Sequence, residues 1–509
     1  MGKLLPNYKK ALFDELVNGI TSNSSQYYAF ASNPVTYNGT VPELTGDDFT
    51  TYFTNDWQML FGKKISNTDV LPVIKNIEWQ SGLVFDRYDN TLDLTNSQFY
   101  AVVSPSIPGG YYNIFKCIDN NNNSVSTAIP DQVQSAAFLK SDDGYTWRYI
   151  TSISSANYTK FSTVDYIPIY ANNTIASSAA NNVGVDSVRI SNNGIGYKVY
   201  ASGIVSGGNT SVIQLDGTAS TDQNFYTKSG IFLKNTSIPN AGVFTVTNYV
   251  SNGSGNYIFL NTSADPSLLI SGQTEYIISP KVVFETDGDL DPVAYSVVNT
   301  STNSISSVII LDAGTNISRA NVSIVSNTYY GSQASCYAIV TPPGGHGSSP
   351  ETELFMQGYS MAFTFANSQS DTIPTNTLYN KIGIVKNPHA INANGTKSST
   401  RFSSNTFSSI TRATIESGNS FNVGTQVVGQ NTSALGTVVF SNTSTVYLTG
   451  DKYFTDERIV STDNLSAEIA INTNGDVFTK DLIPMYVQNI ADVNRSNTQS
   501  ESFKLIIQI

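Results

Sequence analysis

Tyr145, Trp147 and Tyr149 fall at alternate positions directly after the turn Asp142-Asp143-Gly144, so one face of a strand carries three large aromatic side chains. The same texture runs along most of the chain. Short runs rich in Val, Ile, Tyr and Phe are broken by Asn, Ser, Gly and Asp, a pattern that predicts strands and turns. Helical spacing is found near the N-terminus. Leu12, Leu16 and Ile20 recur every fourth residue beside Gly19 and predict a helix over 8–19. Phe49, Phe53, Trp57 and Phe61 repeat that spacing and predict a second short helix within 48–62. The apolar run Ile382-Gly383-Ile384-Val385 reads as a strand. The terminal Phe503-Lys504-Leu505-Ile506-Ile507-Gln508-Ile509 reads as a buried strand that must pair into a sheet. The expected fold class is mainly β (α+β with few short helices), arranged as several β-sandwich or β-barrel-like domains with inserted β modules.

Shifts in composition suggest where those domains lie. Residues 1–180 hold all three tryptophans, Trp57, Trp79 and Trp147, and read as a core domain. Over 181–343 tryptophan disappears and Asn, Ser, Gly and Val dominate, as in an inserted β domain. Two segments in that block, Val185-Asp186-Ser187-Val188-Arg189-Ile190-Ser191-Asn192-Asn193-Gly194 and Ile305-Ser306-Ser307-Val308-Ile309-Ile310-Leu311-Asp312-Ala313-Gly314, share a strand running into a glycine-ended turn and look like duplicated units. Pro342-Pro343-Gly344-Gly345-His346-Gly347 reads as a boundary loop, after which 344–407 returns to the core. A second insertion over 408–475 contains two similar hairpins, one around 421–427 and one around 454–460. Residues 476–509 form a C-terminal segment packing on the core.

Composition narrows the function. Charged residues are 13% of the 509, about half the usual share, and the polar surface is built from Asn, Ser and Thr instead. The net charge of -12, with no Lys/Arg cluster, argues against nucleic-acid binding. No apolar run is long enough to span a membrane, and Asp14 and Glu15 interrupt the N-terminal stretch where a signal peptide would need continuity. Cys117 and Cys336 read as two buried thiols.

The residues that chemistry requires are scarce. His346 and His389 both lie in loop sequence beside glycine or proline, and no Gly-X-Ser-X-Gly elbow accompanies them. Two histidines and two cysteines without close spacing do not make a zinc site. Glu285-Thr286-Asp287-Gly288-Asp289-Leu290-Asp291 carries four carboxylates at alternate positions and is the best candidate for calcium. Its glycine is misplaced for an EF-hand loop, so a solvated acidic turn is the plainer reading. Asp86, Asp89, Asp142 and Asp143 lie near aromatics, as glycosidase carboxylates do, but acidic turn residues beside a core have the same spacing. No catalytic residue, cofactor or metal is expected.

Several separated segments resemble, in order, the dimeric baseplate wedge protein of T-even-type contractile-tailed phages and their cyanophage relatives. They are Asp56-Trp57-Gln58-Met59-Leu60-Phe61-Gly62-Lys63, Trp79-Gln80-Ser81-Gly82, Phe85-Asp86-Arg87-Tyr88, Phe115-Lys116-Cys117-Ile118-Asp119, Asp143-Gly144-Tyr145-Thr146-Trp147-Arg148-Tyr149 and Asp165-Tyr166-Ile167-Pro168-Ile169. Lys381-Ile382-Gly383-Ile384-Val385-Lys386-Asn387-Pro388 and the final apolar strand complete the match. The resemblance covers 1–180 and, more thinly, 344–407 and 476–509, but neither inserted block. It implies a mostly β, multidomain, non-enzymatic virion protein of the tail baseplate, assembled in the bacterial host cytoplasm. It also implies a homodimer that contacts other wedge subunits. Trp57, Trp79, Tyr145, Trp147 and Tyr149 are then expected as core or interface anchors. Two rival readings remain from the residues: a receptor- or carbohydrate-binding virion protein whose insertions are exposed lectin-like modules, and a glycan-cleaving enzyme with paired carboxylates.

Overall fold

The computed structural model describes residues 5–33, 58–133, 138–179, 183–197, 201–235, 242–265, 269–325, 331–366, 368, 373–450, 452–496 and 498–509. Strands take 48% of the chain against 9% for helices, so the fold is mainly β, with several curled sheets and a closed six-stranded barrel. Contacts divide the chain into two units. One comprises Met1–Val73, Thr159–Pro168 and Gln357–Ile509; the other comprises Ile74–Tyr158 and Ile169–Met356. This division is coarser than the composition blocks. The Pro342-Pro343-Gly344-Gly345-His346-Gly347 loop, read from sequence as a boundary, lies inside the second unit.

The first unit opens with the helix Pro6–Thr21, with proline in the first turn, where its missing N–H leaves no bond unmade. Its buried positions are Phe13 and Ile20, one face at a spacing of two turns, while Leu12 is 37% exposed. The expected stripe through Leu12 is therefore rotated, because Phe13 takes the inward position and its ring lies 6.1 Å from that of Tyr359. An antiparallel five-stranded sheet follows, in the order Thr406–Ser408, Met59–Lys64, Tyr27–Ser32, Leu378–Lys386, Ile483–Asn494. Most of the helix expected within 48–62 lies outside the described residues, and its last part is the strand Met59–Lys64 instead. Met59, Leu60 and Phe61 are all buried, so apolarity there is continuous, as in a strand covered on both faces. In the middle of the sheet Phe30 pairs with Gly62 on one side and Gly383 on the other. A β-carbon on Gly383 would stand 2.5 Å from the Phe30 ring and from the Tyr486 carbonyl oxygen, so the aromatic ring occupies the space the glycine leaves.

A second sheet in this unit runs Glu501–Gln508, Gly358–Phe365, Val70–Lys75, Tyr166–Pro168. The C-terminal strand is its edge and is half exposed, not the buried strand its apolarity suggests. Phe61 and Tyr379 of the five-stranded sheet meet Phe365 and Phe503 of this one at ring separations of 5.1–6.3 Å. The barrel is made of Thr411–Gly418, Gln426–Gly429, Leu435–Ser441, Thr445–Gly450, Glu457–Ser461 and Ser466–Thr473, closed on a core that includes Val427, Val438, Leu448 and Ile459. Its two look-alike hairpins stand side by side, joined by the pairing of Val428 with Val460.

The second unit contains the sheet Tyr100–Val103, Tyr111–Asp119, Thr146–Ser154, Phe138–Lys140. It also contains a curled seven-stranded sheet between 201 and 279 whose two ends are consecutive strands, Ala201–Ile204 and Gly207–Asn209. Val205 N donates to Thr274 O on one side and Ser206 N to Gln214 O on the other, so one bent strand joins both edges. Counted that way it is a six-membered antiparallel ring like the barrel of 411–473. Its pairing order becomes identical when the barrel's first two strands are moved to the end. Three further strand pairs between 185 and 340 share a core of Val185, Val188, Phe284, Ala294 and Ile317. The two segments read as duplicated units are Val185–Asn192, which pairs with Ser335–Val340, and Ser304–Asp312, which pairs with Val293–Asn299.

Candidate functional site: a buried ion cluster beside an aromatic core

The turn before the aromatic strand is held by one carboxylate. Gly144 takes φ +85° to make the reversal. Asp143 accepts from Ser141 Oγ at 2.5 Å and Tyr145 N at 3.2 Å with one oxygen. The other accepts from Thr127 N at 2.8 Å, Ala128 N at 3.0 Å and Ser126 Oγ at 3.1 Å. Burial works to raise its pKa, but these donors outweigh burial and pull it down to about 2. Ser126 Oγ accepts from Trp79 Nε1 at 3.1 Å, and Tyr145 donates its hydroxyl to Ser124 O at 2.5 Å. Behind this turn Tyr145 and Trp147 stack at 5.3 Å, and Phe85 meets Trp147 edge-on at 5.3 Å. Tyr145 and Trp147 are fully buried and Tyr149 nearly so, all in one cluster with Phe85, Phe115 and Cys117; Trp79 packs on its rim. Tyr145, Trp147 and Tyr149 are core residues of the unit, and Trp79 is half-buried at its edge. Trp57 lies outside the described residues.

The second feature was not singled out in the sequence. His346 is buried, with Nδ1 2.6 Å from Glu353 Oε1 and Nε2 2.9 Å from Asp186 Oδ1. Lys116 Nζ lies 3.1 Å from the same Glu353 oxygen, and Gly347 N donates to Glu353 Oε2 at 2.9 Å. Lys116 also sits 3.5 Å above the Tyr88 ring, and Arg148, itself buried, is opposed by the charges of Asp186 and Glu353. Burial alone would raise the Glu353 carboxyl, yet Lys116 and then His346 hold it at about 2. Burial would lower the Lys116 ammonium and the His346 imidazole, but the facing carboxylates outweigh it and raise both. Local sequence explains how the loop reaches this depth. Gly345 and Gly347 have φ of +85° and +76°, and β-carbons there would stand 2.0 Å from Ala179 O and 2.6 Å from Ile150 O.

A base between two carboxylates has the parts of a proton relay but no access. His346 and Glu353 have side chains 1% exposed, so no substrate atom comes within reach of either ring nitrogen. His389 instead lies in a short strand, with Nδ1 3.0 Å from Ser398 O. Three of the four carboxylates considered for sugar chemistry are occupied by hydrogen-bond donors: Asp86 by Ser97 and Gln98, Asp89 by Thr91 and Tyr337, and Asp143 as above. In the acidic run, Asp287 accepts from Ser318 and Arg319, Asp289 from Asn316 and Asp291 from Thr286. Among the described residues no three His, Cys, Asp or Glu side chains are arranged to hold a metal ion. A cavity of about 310 Å³ in the first unit is lined by Leu60, Leu378, Asn380, Val438 and Asp492 among others, and Asn380 Nδ2 donates to Asp492 Oδ1 at 3.2 Å in its wall.

No helix among the described residues is long and apolar enough to cross a membrane. No protein-family model matches the chain, and no curated protein matches it in sequence.

Proposed function

We propose that this chain is a non-catalytic structural subunit of the baseplate wedge in a contractile-tailed bacteriophage. It acts as a homodimer that links neighbouring wedge proteins and helps pass the baseplate's rearrangement to the sheath. The reading rests on the ordered resemblance of its segments to the dimeric wedge protein. One structural observation supports it most. The stretches within 79–88, 115–119 and 142–149 are separate in sequence, and Trp79, Phe85, Phe115 and Cys117 pack with Tyr145, Trp147 and Tyr149 beside the Asp143 turn. Resemblance carried by mutually packed core residues fits a retained scaffold. Resemblance carried by an active site would be expected to leave polar groups facing a cleft. The charged groups support the same reading, because the most buried of them neutralise one another. Co-expression with wedge subunits, followed by size exclusion with light scattering, tests the proposal. The expected result is twice the 55.0 kDa chain mass for the chain expressed alone, and co-elution with those subunits when they are co-expressed. A monomer that binds none of them, or that releases reducing ends from host polysaccharide, contradicts it.

A further inference from the structure

We propose that His346 is a clasp operated by pH: as an imidazolium it ties the first strand of the 183–349 region to the short helix and the sheet beneath, and loss of its proton loosens that strand. The geometry carries this. Both ring nitrogens face carboxylate oxygens, at 2.6 Å and 2.9 Å, and only the doubly protonated ring can donate to both. The partners come from separate parts of the chain. Asp186 lies in the strand Val185–Asn192, Glu353 in the short helix Pro350–Glu353, and Lys116 and Arg148 in adjacent strands of the four-stranded sheet. Phe138 closes the remaining side, its ring edge-on to the imidazole at 6.4 Å.

The charged and titratable groups facing the ring are therefore Asp186, Glu353, Lys116, Arg148 and, under Lys116, Tyr88. Glu353 keeps Lys116 and Gly347 N when the ring becomes neutral. Asp186 is in a weaker position. Its second oxygen, Oδ2, is buried without a hydrogen-bond partner, so among the described residues its side chain is hydrogen-bonded through His346 Nε2, while Lys116 and Arg148 act on it as nearby charges. Deprotonation lets the ring keep at most one N–H. The same step leaves either Asp186 or Glu353 facing a lone pair.

The sign follows from the raised proton affinity of the folded state. The stabilisation is complete below the ordinary imidazole range and is lost as pH rises through the higher folded value. Two measurements on the unmodified protein test it. Nitrogen-15 NMR of the histidine side chains, assigned with His346→Gln, should show both N–H groups of His346 at pH 7. Hydrogen exchange of the amides in Val185–Asn192 and Ser335–Val340, corrected for intrinsic rates, should lose protection roughly tenfold per pH unit through the ring's titration. The Gln variant should be poorly protected at every pH, with no such slope. A singly protonated His346 ring at pH 7, or protection in the native protein that does not change from pH 6 to 10, overturns the proposal.

Discussion

Replacing Lys116 with methionine isolates the energy of the buried cluster. The ammonium and Glu353 are 0% and 1% exposed and 3.1 Å apart. At an effective dielectric of about 20, that separation corresponds to roughly 5 kcal/mol of attraction. The variant also escapes the cost of burying the ammonium, so the net loss is smaller than the attraction. What remains is a buried carboxylate with one cation gone, and breaking such pairs one-sidedly costs about 3–5 kcal/mol. Glu353 retains His346 and the Gly347 amide, which moves the expectation to about 3 kcal/mol, the low end of that range. Urea unfolding followed by tryptophan fluorescence suits the test, because Trp79 and Trp147 both lie in this unit. Adding Glu353→Gln to Lys116→Met should recover roughly 1–2 kcal/mol relative to the sum of the single changes, as residues in one ion network do not add. A Lys116→Met protein destabilised by less than about 1 kcal/mol, or a strictly additive pair, would refute the view that this cluster is a structural tie.

Other expectations concern the sheets and the turn. Gly383→Ala should cost about 1–3 kcal/mol by thermal or urea unfolding. The overpacking against Phe30 and the Tyr486 carbonyl outweighs the roughly 0.5–1 kcal/mol that alanine gains in a strand, and a neutral or stabilising result contradicts the packing argument. Asp143→Ala should lose about 1–2 kcal/mol at pH 7, since it removes the acceptor of the buried Ser126 hydroxyl and of the half-buried Ala128 amide. Because the Asp143 pKa is lowered, its stabilisation is present above pH 4 and fades as pH falls toward about 2, so the variant's acid limb should be flatter than the native one. Trp147→Ala should cost about 3–5 kcal/mol by the cavity it opens beside Phe85 and Tyr145, whereas a value under 1 kcal/mol would mean that the aromatic cluster is not the core.

The mainly β character was legible because alternation and turn chemistry are local properties of the chain. The helix Pro6–Thr21 and the strand Leu378–Lys386 were legible for the same reason. Barrel closure was not, since it depends on Thr411–Gly418 meeting strands that follow it much later in the chain. Phe61 illustrates a different failure. Its spacing from Phe49, Phe53 and Trp57 imitates a helix, but the stretch that contains it pairs with Tyr27–Ser32 as a strand. His346 misled through its neighbours, because glycines that usually mark an exposed loop here allow close passage under the carbonyls of Ala179 and Ile150. A usable signal existed for the rest of that cluster. In a chain so poor in charge, Lys116 sits inside Ile114-Phe115-Lys116-Cys117-Ile118 and Arg148 between Trp147 and Tyr149. A cation within an apolar strand needs a buried counter-charge, and that rule points to partners such as Glu353 and Asp186.

The decisive experiment is a cryo-electron reconstruction of the contractile tail in which this chain is proposed to reside. Two copies of the chain should lie in contact within each baseplate wedge, with the Trp147 core dry and the His346 cluster sealed. Finding the chain as a single copy at a fibre tip, or with a ligand bound at His346, would contradict it.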